Sequence, residues 1–368
     1  MATIEVATRK GLFTLARGEG GWAVAGRAFV GDAVTAVLVD PRDGARYAGL
    51  GLGHWGVKVR RSRDGGATWE AVAAPAFPTP DDPAEETTAD GKPWPWRVDQ
   101  VWALEAGHAS EPGVLWCGTV GGGLFRSDDH GASWALVRGL WDHPSRRRWS
   151  GGGADRPAIH SVCVHPADGR DVVVGVSTGG AWRTRDGGAT WAVASEGMWA
   201  AYMPEALKHD PVSQDPHRIA QCAASPDRLW CQHHNGVFVS DDRGARWREL
   251  TDVPPAVFGF AVASHPGDPD VAWLVPAVKD EERVPVGGAV VVTRTRDGGR
   301  SYTVARSGLP QRDAYDIALR HALDVDARGE LLAFGSTTGG VWVSEDGGDR
   351  WQAVEARLPP VYAVRVVG

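Results

Sequence analysis

No run of about 18 apolar residues occurs in this sequence, so no segment reads as a membrane-spanning helix and no membrane partner is expected. The N-terminus, Met1-Ala-Thr-Ile-Glu, lacks the basic and apolar regions of a secretory signal, and the expected compartment is the cytoplasm. Basic residues are outnumbered, 39 against 46 acidic, for a formal charge of −7. Such a chain gains little from a phosphate backbone, so no nucleic-acid partner is expected. Cysteine is scarce: Cys117, Cys163, Cys222 and Cys231 show no Cys-x-x-Cys spacing, and each sits in an apolar, strand-like stretch. They read as reduced core thiols, with Cys222 and Cys231 the one pair that could meet across a hairpin. A Gly-x-Ser-x-Gly turn, a P-loop, a dinucleotide fingerprint and a His-x-x-x-His pair are also missing, which removes several common routes to a defined chemistry.

Glycine and tryptophan are abundant, with 48 and 18 residues among 368. Many turns and many rings with few long apolar runs point to an all-β chain. One motif recurs six times, Ser/Thr-x-Asp-x-Gly-x-(Thr/Ser/Arg)-(Trp/Tyr), with its aspartates at Asp64, Asp129, Asp186, Asp242, Asp297 and Asp346. This is the Asp-box pattern, and a repeat period of this length is the signature of propeller blades. Short strands flank each motif, such as Gly180-Ala-Trp-Arg before and Trp191-Ala-Val-Ala after. Two more lie upstream, such as His160-Ser-Val-Cys-Val-His165 and Asp171-Val-Val-Val-Gly-Val176. Each repeat therefore holds four strands, and the motif is the turn between the last two.

The termini raise the number of blades to seven. Residues 3–26 supply three strands with a degenerate motif between the last two, and Val361-Tyr-Ala-Val-Arg-Val-Val367 is an orphan strand that can complete that blade. The expected fold is a single seven-bladed β-propeller spanning 1–368 and closed by the C-terminal strand, which also protects the sheet edges. Within the motif, the aspartate accepts backbone N–H groups and the glycine takes a conformation that other residues resist, so the motif is read as structural.

Function is expected on the face that carries the long connections, 74–96, 139–156, 196–215 and 276–288, because long loops on a rigid scaffold usually carry it. Six tryptophans outside strands and motifs fall there: Trp55, Trp94, Trp96, Trp141, Trp149 and Trp199. They serve either as loop anchors or as walls of a ligand pocket. His54 and His234 occupy the same slot in two repeats, two residues before a strand-opening glycine, while His160 and His217 lie at innermost strands. These four form the candidate metal set, with a divalent metal as the cofactor they could hold; the alternative is separate structural hydrogen bonds. The candidate acid–base groups are His160, His217, Glu205, Glu281 and Asp316. Ligand contacts are assigned to His54, Trp55, Trp94, Trp96, Arg97, Gln100, His143, His233, His234, Arg283 and Tyr315. The acidic run Asp81-Asp-Pro-Ala-Glu-Glu86 reads as solvated charge.

The motifs, together with Gly53-His-Trp-Gly-Val-Lys, Lys92-Pro-Trp-Pro-Trp96, Leu140-Trp-Asp-His-Pro144, Asp215-Pro-His-Arg218 and Gln232-His-His-Asn-Gly-Val-Phe238, resemble a bacterial propeller family. That family goes under the names BNR-repeat, sortilin-like, and exo-α-sialidase or glycosyl hydrolase. The resemblance covers nearly the whole chain and implies the fold. True sialidases have six blades and an Arg-Ile-Pro motif near the N-terminus; here that region reads Ala7-Thr-Arg9-Lys-Gly. The photosystem II assembly-factor propellers are similar in architecture. The expectation is a small-ligand site, with hydrolase- or lyase-type chemistry, lined by histidine, tryptophan and acids; the alternative is a non-catalytic scaffold that binds a protein.

Overall fold

The computed structural model describes residues 2–79, 87, 91, 94–152, 156–354 and 356–368. The acidic run 81–86 and the pair Lys92-Pro93 lie outside the described residues. Contacts divide the chain into two compact units. One comprises Met1–Val37, His217–Arg243 and Trp247–Gly368, and the other Leu38–Pro216 and Gly244–Arg246.

Four sheets, each of four antiparallel strands, make up the first unit. The first runs Val361–Val367, Thr3–Thr8, Gly11–Gly18, Gly21–Ala28. The orphan C-terminal strand thus completes the N-terminal sheet, with Thr3 opposite Val367 and Val6 opposite Val364. The second holds Pro216–Gln221, Leu229–His233, Val237–Ser240 and Arg248–Leu250, and the third Gly259–Ser264, Ala272–Pro276, Val292–Thr295 and Thr303–Ala305. The fourth holds Leu323–Val325, Leu332–Gly335, Val341–Ser344 and Gln352–Ala353. Tryptophans tie these sheets together: Trp273 Nε1 donates to Gly347 O at 2.9 Å, and Trp230 Nε1 to Pro269 O at 3.2 Å. Trp273 fills one core cluster with Val292, Phe334, Trp342 and Trp351, and Trp230 another with Val239, Leu250 and Leu274.

The second unit begins at Leu38, within the strand Ala33–Val39, and continues with Arg46–Gly51, Val57–Ser62 and Glu70–Val72. An eight-stranded sheet follows. It consists of two four-stranded halves joined by the single pair Ala158 and Val120. Central strands are buried on both faces, as in all six residues of Leu115–Val120. They therefore read as continuous apolar runs and not as an alternation.

The recurring motif closes its turn through the first residue as much as through the aspartate. Thr184 Oγ1 donates to Asp186 Oδ1 at 2.8 Å and accepts Gly188 N at 3.0 Å. Asp186 then accepts Thr190 N at 2.9 Å and Thr190 Oγ1 at 2.6 Å. The turns at Asp64 and Asp129 repeat all four bonds. The first residue is buried at every site (Ser62, Ser127, Thr184, Ser240, Thr295 and Ser344), whereas the aspartates face solvent wholly or in part. Hydrogen bonds from the hydroxyl and amide of Thr190 hold the Asp186 carboxyl at about 2, well below its ordinary value. The fourth position takes a left-handed φ in all six turns, including the non-glycine residues His130 (58°) and Arg243 (59°). All four cysteines are free and buried, so Cys222 and Cys231 form no disulfide.

Candidate functional site

In the first unit, two imidazoles come together over an apolar floor. Gln232 sets up one of them: its side-chain amide donates to His233 O, Gly236 O and Val257 O at 2.9–3.2 Å. The backbones of His233 and Gly236 bond reciprocally, so the segment closes as a tight turn. His233 is fully buried within it; its Nδ1 accepts Asn235 N at 3.2 Å and its ring lies against Phe238. The next residue, His234, is half-buried, and its ring centroid lies 5.5 Å from that of His217.

His217 is the second residue of its strand and is buried. Its ring stacks on Phe260 with centroids 4.6 Å apart and meets Phe258 edge-on at 5.7 Å. Its Nδ1 lies 2.7 Å from Gly259 O. A carbonyl oxygen only accepts, so Nδ1 carries the proton, and in the neutral ring the lone pair sits on Nε2. Phe258, Phe260, Ala277 and Ile317 form the floor. The guanidinium groups of Arg283 and Arg320 each lie 5.3 Å from the Phe260 ring centroid, and Arg283 is held by Asp280. Apolar faces, two imidazoles and two cations therefore share one neighbourhood. Phe258, Phe260 and Arg320 carry no sequence signal that separates them from core strand residues.

The remaining expected site residues of this unit are spread out. Glu281 is exposed in the turn that carries Arg283. Asp316 accepts the hydroxyls of Ser336, at 2.7 Å, and Thr338. Tyr315 is exposed. Burial raises the carboxyl of Asp324 above its ordinary range, although Arg365 opposes the shift; it accepts Val366 N where the C-terminal strand docks.

In the second unit, His160 is fully buried, with Nδ1 2.8 Å from Ser161 Oγ and its ring edge-on to Trp102. His54 is exposed against the equally exposed Trp55. These two histidines sit in unlike settings. Three of the six loop tryptophans pack on one another. Trp94 and Trp96 lie 5.9 and 5.7 Å from Trp141, and the buried Arg146 guanidinium sits 3.8 Å above Trp141. Burial lowers the guanidinium of Arg146 to about 10. Trp149 and His143 both meet Trp182 edge-on. Trp199 takes Lys208 at 5.1 Å. Arg97 pairs with Asp99 at 2.7 Å, and Gln100 opens the strand that pairs with Val120. Glu205 is exposed and faces Lys208 at 3.8 Å. Among the described residues no helix is long and apolar enough to cross a membrane.

No family model matches the chain. An oligoxyloglucan-reducing end-specific xyloglucanase from Emericella nidulans is 25% identical over 217 residues, which cover 56% of this chain and 24% of that protein. The chain thus spans about a quarter of the length of this curated relative. Among solved structures, a GH74 xyloglucanase from Xanthomonas campestris is 20% identical with a TM-score of 0.64, covering 95% of this chain and 52% of that one. YCF48 bound to a D1 peptide is 14% identical with a TM-score of 0.50, covering 87% of this chain and 82% of that one. At these identities the likeness speaks for the fold: this chain is a β-propeller, similar both to glycan hydrolases and to a peptide-binding protein.

Proposed function

We propose that the chain is a single seven-bladed β-propeller of the Asp-box type that binds a small polar ligand, an oligosaccharide fragment, at the His217–His234 site. The reading of seven blades is supported by five four-stranded sheets and one sheet of two four-stranded halves, with the strand Val361–Val367 completing the first. The observation that carries the site is the imidazole pair over Phe258 and Phe260. Apolar ring faces with a few convergent polar groups make the usual lining of a small-molecule site. The glycan class is supported by the xyloglucanase relative. Binding is favoured over glycoside hydrolysis. Hydrolysis needs two carboxyl groups flanking the scissile bond, whereas Glu205 and Glu281 are exposed and Asp316 is held by two hydroxyls. Calorimetric titration with xyloglucan oligosaccharides tests the reading. Saturable binding is expected, and it should be lost in His234→Ala at an unchanged melting temperature. No binding to the wild type, or equal binding by the variant, overturns it.

A second reading, a peptide-binding scaffold, is favoured by two large exposed rings, Trp55 at 70% and Tyr315 at 67% exposure, and by the likeness to YCF48. It gains if binding to extended peptides falls with Trp55→Ala and ignores His234→Ala.

A further inference from the structure

We propose that two copies of this chain pair through the strand Gly21–Ala28, antiparallel about a twofold axis at Ala23. That strand ends its sheet and, among the described residues, pairs with Gly11–Gly18 alone. It runs for eight residues. The fourth strands of the other four-stranded sets hold only two or three: Glu70–Val72, Ala135–Leu136, Ala192–Val193, Arg248–Leu250, Thr303–Ala305 and Gln352–Ala353. A short edge offers little to an incoming strand, and shortness is one way in which sheets avoid pairing with foreign edges. The long edge also lacks two further devices of that kind, for it holds neither lysine nor proline, and Arg27 is its one charge.

The hairpin decides which backbone groups are on offer. Gly18 and Gly21 are partners across the two-residue turn Glu19-Gly20, and so close to a turn two partners must exchange both hydrogen bonds. Bonded and open pairs alternate from there. Ala23 therefore turns its N–H and C=O inward to Ala16, while Trp22 and Val24 turn theirs away from the sheet. A twofold axis at Ala23 joins Trp22 of each copy to Val24 of the other, self-complementary as such an interface must be. The two Ala23 then meet as an open pair, where side chains come closest, and a small residue suits that place. Ala23 and Ala25 are both exposed. The register shift opposite Thr14 and Leu15 begins only past Val24, outside this central stretch.

Charge selects this register and a second copy as the occupant. Glu19 and Arg27 are exposed, and neither side chain has a hydrogen bond or an ion pair to another described residue. With the axis at Ala23, Arg27 of one copy comes level with Glu19 of the other, and symmetry repeats the pair. An axis at Trp22 would set Arg27 against Arg17, and an axis at Val24 would set it against Gly21. Opposite charges across neighbouring strands favour pairing and like charges oppose it, so the middle register wins. A strand added to a sheet edge gains its affinity from main-chain hydrogen bonds, and the side chains choose the partner.

Sedimentation of the purified full chain across a concentration series tests the pairing. A dimer in exchange with monomer is expected, weaker at high salt. Arg27→Glu and Glu19→Arg should each weaken it roughly 5–30-fold, because each turns two attractive pairs into repulsive ones. The double variant Glu19→Arg/Arg27→Glu should restore it. Both side chains are exposed, so all three variants should keep the melting temperature. Val24→Pro removes an outward N–H, which an edge strand tolerates, and should abolish the dimer. Hydrogen exchange at the Trp22 and Val24 amides should slow as the concentration rises. A chain that is monomeric throughout, a dimer that ignores the charge reversals, or a double variant as weak as the single ones overturns the proposal. A monomer whose Trp22 and Val24 amides are protected only by an added extended peptide makes the strand a peptide site and overturns it too.

Discussion

Thr184→Val is the sharpest probe of the recurring turn. The substitution keeps the shape and removes the hydroxyl, which donates to Asp186 Oδ1 and accepts the buried Gly188 N–H. That N–H is left without its acceptor, a loss of about 1–3 kcal/mol. Unfolding entropy near about 2.1 cal/mol/K per residue gives roughly 0.8 kcal/mol per degree for a chain of this length. The expected fall in melting temperature is therefore about 1–4 °C, read by calorimetry or circular dichroism. Thr184→Ser should sit within a few tenths of a degree of the wild type. Asp186→Ala should fall less than Thr184→Val, because the carboxylate faces solvent and water can take its place as acceptor for Thr190 N and Oγ1. A Thr184→Val chain as stable as the wild type, or an Asp186→Ala chain less stable than it, would show that the carboxylate and not the hydroxyl is the hub.

His130 and Arg243 hold the same left-handed backbone but should respond in opposite ways to glycine. His130→Gly relieves a strain of about 1–2 kcal/mol and should raise the melting temperature. Arg243→Gly should lower it, because that buried guanidinium bonds Gln221 Oε1 at 2.6 Å and Pro226 O at 3.0 Å; shifts of the same sign refute the comparison. The carboxyls of Asp64, Asp186 and Asp297 are held near 2 by hydroxyl and amide donors. Their folded pKa lies below the unfolded one, so their stabilisation is complete above about pH 4 and is lost as pH falls toward 2. The melting temperature should drop through that window, less steeply in the triple Asn variant, and an equally steep drop in that variant contradicts the assignment. Cys117, Cys163, Cys222 and Cys231 are all buried, and burial raises the Cys117 thiol. A thiol reagent should label none of them in the native chain and all four in denaturant; rapid native labelling would place at least one at the surface.

Much of the sheet architecture was legible because strand period and turn chemistry are local. The step from the orphan Val361–Val367 to Thr3–Thr8 needed only a count of strands, and the two pair as expected. The fourth motif position was not legible. Its left-handed φ is met by Gly in four turns but by His130 and Arg243 in the others, so the residue type alone hides the requirement. The site was legible only in part. His217 and His234 stood among four histidines that sequence treats alike, and the Gln232 network and the Phe260 stack that orient them are tertiary. Of the loop tryptophans, either anchors or pocket walls by sequence, Trp94, Trp96 and Trp141 pack on one another around Arg146, and Trp149 packs on Trp182.

The pairing of Val361–Val367 with Thr3–Thr8 also bears on biosynthesis. At roughly 5–20 residues per second, about 20–70 s pass on the ribosome between the two strands. Throughout that interval Ile4 and Val6 belong to a sheet that lacks one edge, and an unpaired edge invites pairing with another nascent chain. Closing an interval of that length also carries about 3 kcal/mol more chain entropy than closing an eight-residue hairpin. The sheet that holds Thr3–Thr8 is therefore open to such pairing until Val361–Val367 arrives. A ribosome pause near residue 360 would prolong that exposure, and a truncation there would make it permanent.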